Sequence, residues 1–530
     1  MTLGFVGESS AHSFVKQIRE LFAKTSGESA FTQDIQRFSM ADGPTHSASY
    51  QTLQLPPKAL ADELTILFEK HIQPFSYVFH MDDFRHMLED TYNFPMDCPK
   101  TSLCLIQLAF ALAGLYKLGF ESGKLFESGL GLCQDCVEDG DLWVVQAYLL
   151  ISMYYQVSCK RNAMWITIGI PEYWGALKIG IAIRFAQALG MHRASVNYNL
   201  PHREKVLRQR VWRTLYIYDR FHSAVLGRPF TVADQDWDDR EPTGNSYSNR
   251  ISVEMARISG ILGDICRKVY RAQTISSETA SALARRLQEW SDALPPDMTL
   301  HTLLRNSGMP SYYRHVLQRL HLAHLNAVIL LTRPFFCYVV STEVMKGTPP
   351  GPSEASAKGT VARLAKACVL SATRSVEIVN SLFLEGDRPA RPPFLIYFMF
   401  YAGLILLTDA YRDRSQISSP VISNVKLIMA SYAGIDPSAK RYSQVFEAMT
   451  SAIKNSTAQP MDAVNELFQE NQSDVTTTAT PIDSNLSFIL GDDVLAGGME
   501  NIFNFDSTAY WDTMMMGEGD LRGMLLQPEF

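Results

Sequence analysis

Apolar side chains recur at intervals of three and four residues along most of this chain, and that spacing constrains its fold more than any other feature. The clearest run forms one stripe along about five helical turns: Leu207, Val211, Leu215, Tyr218, His222 and Val225. Gly227 and Pro229 follow this run, and they are the residue types that typically end a helix. We find no strand-like alternation and no regular series of Val/Ile-rich runs. The pattern therefore predicts an all-α protein.

The sequence divides into three parts. Residues 1–60 form an N-terminal segment that is partly loop, residues 61–455 form a helical body, and residues 456–530 form a polar, acidic tail. The chain is 46% apolar, enough for a large core without disulfides or metals. The tail has 13 acidic residues and one basic residue, so its net charge is −12 while the whole chain is −7 and the body is near +5. We therefore predict a multi-helix globular domain with a disordered acidic tail.

The number of cysteines and the length of the apolar runs indicate which cellular compartment the chain suits. Eight cysteines in 530 residues are too few for a disulfide framework, and several lie in apolar helical patterns, which favours a reducing compartment. The longest apolar run, residues 394–407, is too short to span a bilayer comfortably, so we interpret it as a buried core helix. We expect neither a secretory signal nor a membrane partner.

The motifs that resemble enzyme or metal sites are incomplete. Cys133 and Cys136 form a C-x-x-C pair, but no second pair follows to supply four zinc ligands. Three histidines share one helical segment without a carboxylate or thiol to complete a site: His315, His321 and His324. The series that starts at Asp234 lacks the glycine and the glutamate of a calcium loop. The sequence therefore predicts no catalytic residue, no cofactor and no metal, so we do not expect an enzyme.

One helix face between residues 208 and 230 combines polar and aromatic groups. They fall at steps of four, three and four residues next to the apolar stripe: Trp212, Tyr216, Asp219 and Ser223. We expect Asp219 to be at least partly buried, and a buried carboxylate needs a charged or hydrogen-bonding partner. Arg228, just past the helix, and Arg184, from another helix, are candidate partners. A structural ion pair without any chemistry is the alternative to a functional site.

At these residues the sequence resembles the regulatory domain of fungal zinc-cluster transcription factors, whose pattern is approximately R-x-x-W-W-x-L-x-x-x-D-R-x-x-S-x-x-L-G-R-P followed by spaced aspartates. The matching positions are Trp212, Leu215, Asp219, Arg220, Ser223, Leu226, Gly227, Arg228, Pro229, Asp234, Asp236 and Asp238. Arg213 replaces the second tryptophan. Residues 182–193, which include Arg184 and His192, are similar to the family's A-x-R-x-A-x-x-L-G-L-H-R helix. Residues 4–10 and 68–80 are similar to two earlier family segments.

The resemblance implies a pathway- or gene-cluster-specific transcriptional regulator, for instance of secondary metabolism, that acts in the nucleus and could shuttle to the cytoplasm. Its partners would be coactivators and the transcription machinery. A small-molecule effector, a DNA-binding partner and a homodimer are also open. Two other functions remain: a cofactor-free biosynthetic enzyme, an isomerase or cyclase, on the same helical scaffold, and a subunit that only makes interactions. A deep polar pocket with shifted pKa values would favour the enzyme, and an exposed apolar patch without a pocket would favour the subunit.

The chain departs from the family at the DNA-reading element. That element is a six-cysteine cluster that binds two zinc ions, and the first cysteine here is Cys98, with no six-cysteine spacing anywhere. Either the gene product extends beyond this sequence or the protein regulates without its own cluster. We expect zinc only if an upstream cluster exists, and weak, sequence-indifferent DNA binding by this chain.

Large apolar residues alternate with acidic residues in the tail. Repulsion among the acidic groups opposes collapse, so the aromatic side chains stay available to a partner. We expect short amphipathic turns to fold into a coactivator's groove, with Phe503, Phe505 and Trp511 as anchors. The alternative is a tail that only improves solubility.

Overall fold

A computed structural model describes residues 8–33, 55–136, 140–158, 178–239, 246–271, 277–305, 308–346 and 355–455. Within these ranges the chain forms α-helices joined by turns and short 3₁₀ or π segments, and no residue is in a β-strand. The all-α prediction is therefore confirmed. The predicted activation anchors Phe503, Phe505 and Trp511 lie outside the described residues.

We number the α-helices of the described ranges in chain order. The N-terminal half contains α1 Ala11–Ser26, α2 Ala30–Gln33, α3 Lys58–His71, α4 Met81–Asn93, α5 Lys100–Gly114, α6 Ser122–Cys136, α7 Leu142–Val157, α8 Lys178–Ala188, α9 Ala194–Asn197 and α10 His202–Leu226. The C-terminal half contains α11 Tyr247–Ile265, α12 Ser277–Asp292, α13 Leu300–Arg305, α14 Ser311–Lys346, α15 Ala355–Leu384, α16 Pro393–Arg412, α17 Pro420–Tyr432 and α18 Pro437–Asn455.

Three helices form the centre of the protein because they are apolar on nearly every side. They are α5, α7 and α16, and in α16 every residue from 394 to 408 is buried. This confirms the interpretation of residues 394–407 as a core helix. By length and composition alone, Ser311–Val344, Val361–Leu384 and Pro393–Arg412 could each cross a membrane. The apolar window of Pro393–Arg412 is wholly buried inside the protein, so other helices already cover it.

The described part of the N-terminal segment packs on the body. Ser10 caps α1 by accepting a hydrogen bond from the N–H of Ser13. α1 then buries Phe14 and Phe22, whose rings lie against Tyr401 and Tyr411 of α16. Residues 11–33 therefore share the core of the helical body.

The close packing of α16 against α18 depends on Gly403. A Cβ atom at residue 403 would lie 2.2 Å from Cζ of Phe446, which is fully buried beside Phe400. We expect Gly403→Ala to lower the free energy of unfolding by about 1–3 kcal/mol, because Phe446 has to move, although alanine favours helix more than glycine does. Chemical denaturation measures this change.

Gly180 in α8 is the matched control. A Cβ atom there would meet no atom of the described residues within 4 Å, so Gly180→Ala should raise the free energy of unfolding by up to about 1 kcal/mol through helix propensity alone. Equal stabilisation by both substitutions would contradict the tight contact at Gly403.

Candidate functional site

The helix that carries the motif, α10, ends as the sequence predicts. Gly227 has a φ of 66°, in the left-handed region that glycine adopts without strain. The N–H of Gly227 bonds the carbonyl of Ala224, and the N–H of Arg228 bonds the carbonyl of Ser223 at 2.8 Å. This pair of bonds is a Schellman cap, and it reverses the chain after α10. Ser223 also donates from its hydroxyl to the carbonyl of Pro229 at 3.2 Å.

Asp219 lies at the centre of the polar contacts between α10 and the segment that follows it. Its side chain is 1% exposed and accepts a hydrogen bond from Nη1 of Arg220 at 2.7 Å. It also accepts from the backbone N–H groups of Thr231 at 2.9 Å and Val232 at 3.2 Å. Burial raises the pKa of Asp219, while Arg220 and the two backbone donors oppose the rise. Asp219 therefore fixes residues 228–239, which we call the returning segment, against α10.

Asp234 extends these contacts to the next helix. It accepts from Nη2 of Arg220 at 2.7 Å, from the hydroxyl of Tyr216 at 2.6 Å and from Arg267. Burial alone would raise the pKa of Asp234, but Arg220 and the hydrogen bonds from Tyr216 and Arg267 lower it to about 2. Asp234 therefore stays ionised at neutral pH and joins α10 to the π segment Cys266–Arg271.

Asp239 and Asp238 hold the far end of the returning segment. The Asp239 carboxylate accepts from the side-chain amides of Asn197 at 2.7 Å and Gln209 at 2.6 Å. Asp238 accepts from the N–H of Ala194 at 2.7 Å, so both acids bind the short helix α9. Two of the three spaced aspartates of the motif, Asp234 and Asp238, thus accept hydrogen bonds from protein donors.

The remaining motif residues have different surroundings. Trp212 is buried and its indole lies 5.3 Å from the ring of His192, measured between centroids. Arg228 is also buried. Arg184 is exposed and donates to the Gln187 side chain at 3.4 Å. The prediction that Arg228 or Arg184 pairs with Asp219 is therefore corrected, because the ion pair forms with Arg220.

The three histidines of α14 do not converge. His315 contacts the Asp387 carboxylate at 3.0 Å, His321 donates to the carbonyl of Met298 at 3.0 Å, and the ring of His324 lies against Trp290. Among the described residues, no group of three or more His, Cys, Asp or Glu is arranged to hold a metal ion.

Beside α10 lies a cavity of about 190 Å³ that no motif predicted. Its walls come from α3, α5, α7, α10, α14, α16 and the turn before α16, which are far apart in the sequence. Tyr218 of α10, Arg319 of α14 and Phe394 of α16 face one another there. The signal that could have pointed to the cavity is Arg319, a cation within a largely apolar stretch of helix.

The cavity's ionisable groups suit binding more than catalysis. Burial lowers the pKa of His71 to about 4, and burial also lowers the pKa of His315 despite its contact with Asp387. Both imidazoles are therefore neutral and weakly basic at pH 7. The described lining contains no Asp, Glu or Cys. The cavity combines apolar and aromatic walls with a few polar groups, and its described lining lacks a base with a pKa near neutrality and a paired nucleophile.

Comparison with known proteins identifies the region around the motif. Residues 132–292, which span the end of α6 to α12, match the fungal specific transcription factor domain. The resemblance seen in the sequence is thereby confirmed, and the polar contacts of Asp219 and Asp234 lie inside the matched region.

Several curated fungal proteins are similar over most of the chain. Filamentous growth regulator 27 of Candida albicans is 26% identical over 485 residues, which cover 85% of this chain and 60% of the relative. An uncharacterized transcriptional regulatory protein of Schizosaccharomyces pombe is 24% identical, covering 77% of this chain and 52% of the relative. Sorbicillinoid biosynthetic cluster transcription factor 2 of Penicillium rubens is 22% identical, covering 77% and 63%. The chain thus spans a little over half the length of these relatives.

Proposed function

We propose that this chain, which contains a fungal specific transcription factor domain at residues 132–292, is a fungal transcriptional regulator. The observation that carries the proposal is the extent of the similarity, since relatives named as regulators align with 77–85% of the chain and not only with the domain. In this proposal the helical body is a regulatory module in the nucleus, and residues 456–530 bind coactivators.

The regulated genes would belong to one pathway or biosynthetic cluster, in line with the name of the relative from Penicillium rubens. The DNA contact would come from a DNA-binding partner, from a second copy of the chain or from a zinc cluster that is not part of this sequence. The body's net charge near +5 supports only weak binding to DNA by the chain itself.

The geometry around α10 supports a role for the body in signalling. The contacts of Asp219, Arg220 and Asp234 fix one side of this helix, while Tyr218 lines the cavity. A small molecule in the cavity would therefore contact α10, the helix that carries the motif. If it binds one position of α10 more tightly than another, it shifts the population toward that position. The enzyme alternative is not favoured, because the relatives are regulators and the cavity lacks a catalytic pair.

A reporter assay tests the activation role. We expect the full chain fused to an unrelated DNA-binding domain to activate a reporter, and residues 456–530 alone to do so as well. Changing Phe503, Phe505 and Trp511 together to alanine should remove most of that activity, because the aromatic anchors are lost while the net charge is unchanged.

The matched control is the triple change of Thr476, Thr477 and Thr478 to alanine in the same tail, which should leave the activity intact. If both wild-type fusions are silent at normal protein levels, the activation role is wrong. If the aromatic triple variant is as active as wild type, charge and not aromatic anchoring is recognised.

A further inference from the structure

Arg319 is a buried cation whose hydrogen-bonding capacity is largely unused. Its Nη1 donates to the carbonyl of Phe75 at 3.3 Å, whereas its Nη2 is buried and has no hydrogen-bond partner among the described residues. The whole residue is 8% exposed, and the guanidinium lies 4.0 Å from the centroid of the Phe394 ring. No carboxylate of the described residues forms an ion pair with it.

An unpaired buried charge is unusual, because removing a cation from water is costly unless an anion or several hydrogen-bond acceptors replace the water. The contact with Phe394 offsets only part of that cost. Burial lowers the pKa of Arg319 to about 10, so the side chain is still charged at neutral pH. The buried arginines Arg220 and Arg314 have carboxylate partners, and buried Arg333 has three hydrogen-bond acceptors instead. Among the described residues Arg319 has only the carbonyl of Phe75.

The electrostatic surroundings also favour an anion. Lys70 and Arg388 are exposed where they line the cavity, Arg391 is half-buried, and the described lining has no acidic residue. The carboxylate of Asp387 is not part of the lining, and it is already engaged by Ser311, Arg314 and His315. The cavity therefore has an excess of positive charge that attracts anions.

The remaining walls are apolar and aromatic. Phe75, Leu322 and Phe398 line the cavity together with Tyr116, whose ring stacks on His71 at 4.9 Å between centroids. An inorganic ion would leave these apolar walls exposed to water, whereas the apolar part of an organic ligand would cover them. A volume of about 190 Å³ accommodates a small molecule of this kind.

We propose that this cavity binds a small organic anion, whose carboxylate or phosphate accepts hydrogen bonds from Arg319 and whose apolar body lies against Phe75, Leu322 and Phe398. The ligand completes the ion pair that the protein leaves open, since a planar guanidinium offers two parallel donors to such a group. Its role as an effector of transcription rests on the proposed function, but its binding does not.

Isothermal titration of the purified full chain tests the proposal with 3-phenylpropionate, its neutral amide and inorganic phosphate as probes. We expect saturable binding of 3-phenylpropionate, at least tenfold weaker binding of the amide, and weaker binding of phosphate. Absence of 3-phenylpropionate binding at millimolar concentration, or equal affinity for acid and amide, overturns the proposal. Tighter binding of phosphate than of 3-phenylpropionate shows a bare anion site and overturns the role of the apolar walls.

Variants locate the site. Arg319→Met should weaken 3-phenylpropionate at least tenfold, while Arg305→Met, outside the cavity, should not change its affinity. Circular dichroism reports whether each variant is folded. If Arg319→Met does not fold, the ratio of the wild-type chain's affinities for 3-phenylpropionate and for its amide still decides the question. Ligand binding by a chain that fails in the reporter assay would contradict the proposed function alone. An active reporter without ligand binding would contradict only this inference.

Discussion

Asp219→Ala is expected to lower the free energy of unfolding by about 3–5 kcal/mol. The substitution removes a carboxylate from the fully buried guanidinium of Arg220 and leaves the N–H groups of Thr231 and Val232 without their acceptor. A buried donor without an acceptor loses the hydrogen bond that it has with water in the unfolded chain, so each one adds to the cost. The effect should extend to the whole segment that Asp219 fixes against α10.

Denaturant unfolding of Asp219→Ala beside Asp90→Ala separates this effect from that of losing any aspartate. Asp90 is exposed on α4, so its replacement should change the free energy of unfolding by no more than about 0.5 kcal/mol. Asp219→Asn should be intermediate, since the amide keeps one oxygen acceptor but loses the charge. Equal stabilities of Asp219→Ala and Asp90→Ala would show that the buried ion pair contributes nothing net.

Sequence periodicity predicted the position of Asp219 but not its partner. The stripe from Leu207 to Val225 shows which face of α10 is buried, and Gly227 shows where the helix ends, because both depend on local spacing. The ion-pair partner of Asp219 depends on the rotamer of a long arginine side chain, and that rotamer is set only when the returning segment packs against α10. Arg220 follows Asp219 directly and would be assigned to a different face, yet its guanidinium reaches both Asp219 and Asp234.

The returning segment shows the same limit. The family pattern drew attention to Asp234, Asp236 and Asp238, whereas the buried acceptor for Asn197 and Gln209 is Asp239. Neither amide lies near Asp239 in the sequence, so only the tertiary arrangement of α9 and α10 shows that the three side chains meet.

The cavity could not be predicted at all. Periodicity indicates one buried face for each helix, but an empty space depends on how seven segments fail to fill the volume between them. No sequence motif singled out Arg319. Its significance comes from the absence of an acceptor at Nη2 within the described residues, and no single-sequence pattern reports that.

Arg333, on the same helix as Arg319, gives the second large expected effect. It donates from Nη1 to the hydroxyl of Tyr401 at 2.8 Å and to the carbonyl of Ser9 at 3.3 Å, and from Nη2 to the carbonyl of Glu8 at 2.6 Å. Arg333→Met should lower the free energy of unfolding by about 3 kcal/mol or more, because the Tyr401 hydroxyl and the two carbonyls lose a charged donor. Hydrogen exchange should also speed up in residues 8–26, which Arg333 ties to the core.

Arg319→Met is the matched control, since it makes the same substitution in another buried arginine of α14. Among the described residues its guanidinium has one hydrogen bond instead of three. Relief from burying the charge should therefore nearly offset the lost contacts, and stability should change by no more than about 1 kcal/mol. Chemical denaturation of both variants without ligand measures the difference. If Arg319→Met is as destabilised as Arg333→Met, protein groups already saturate Arg319, and a ligand has no vacant donor to occupy. If only Arg333→Met is destabilised, the buried charge of Arg319 contributes nothing net to the stability of the fold. That result is expected for a group whose role is to bind an anion.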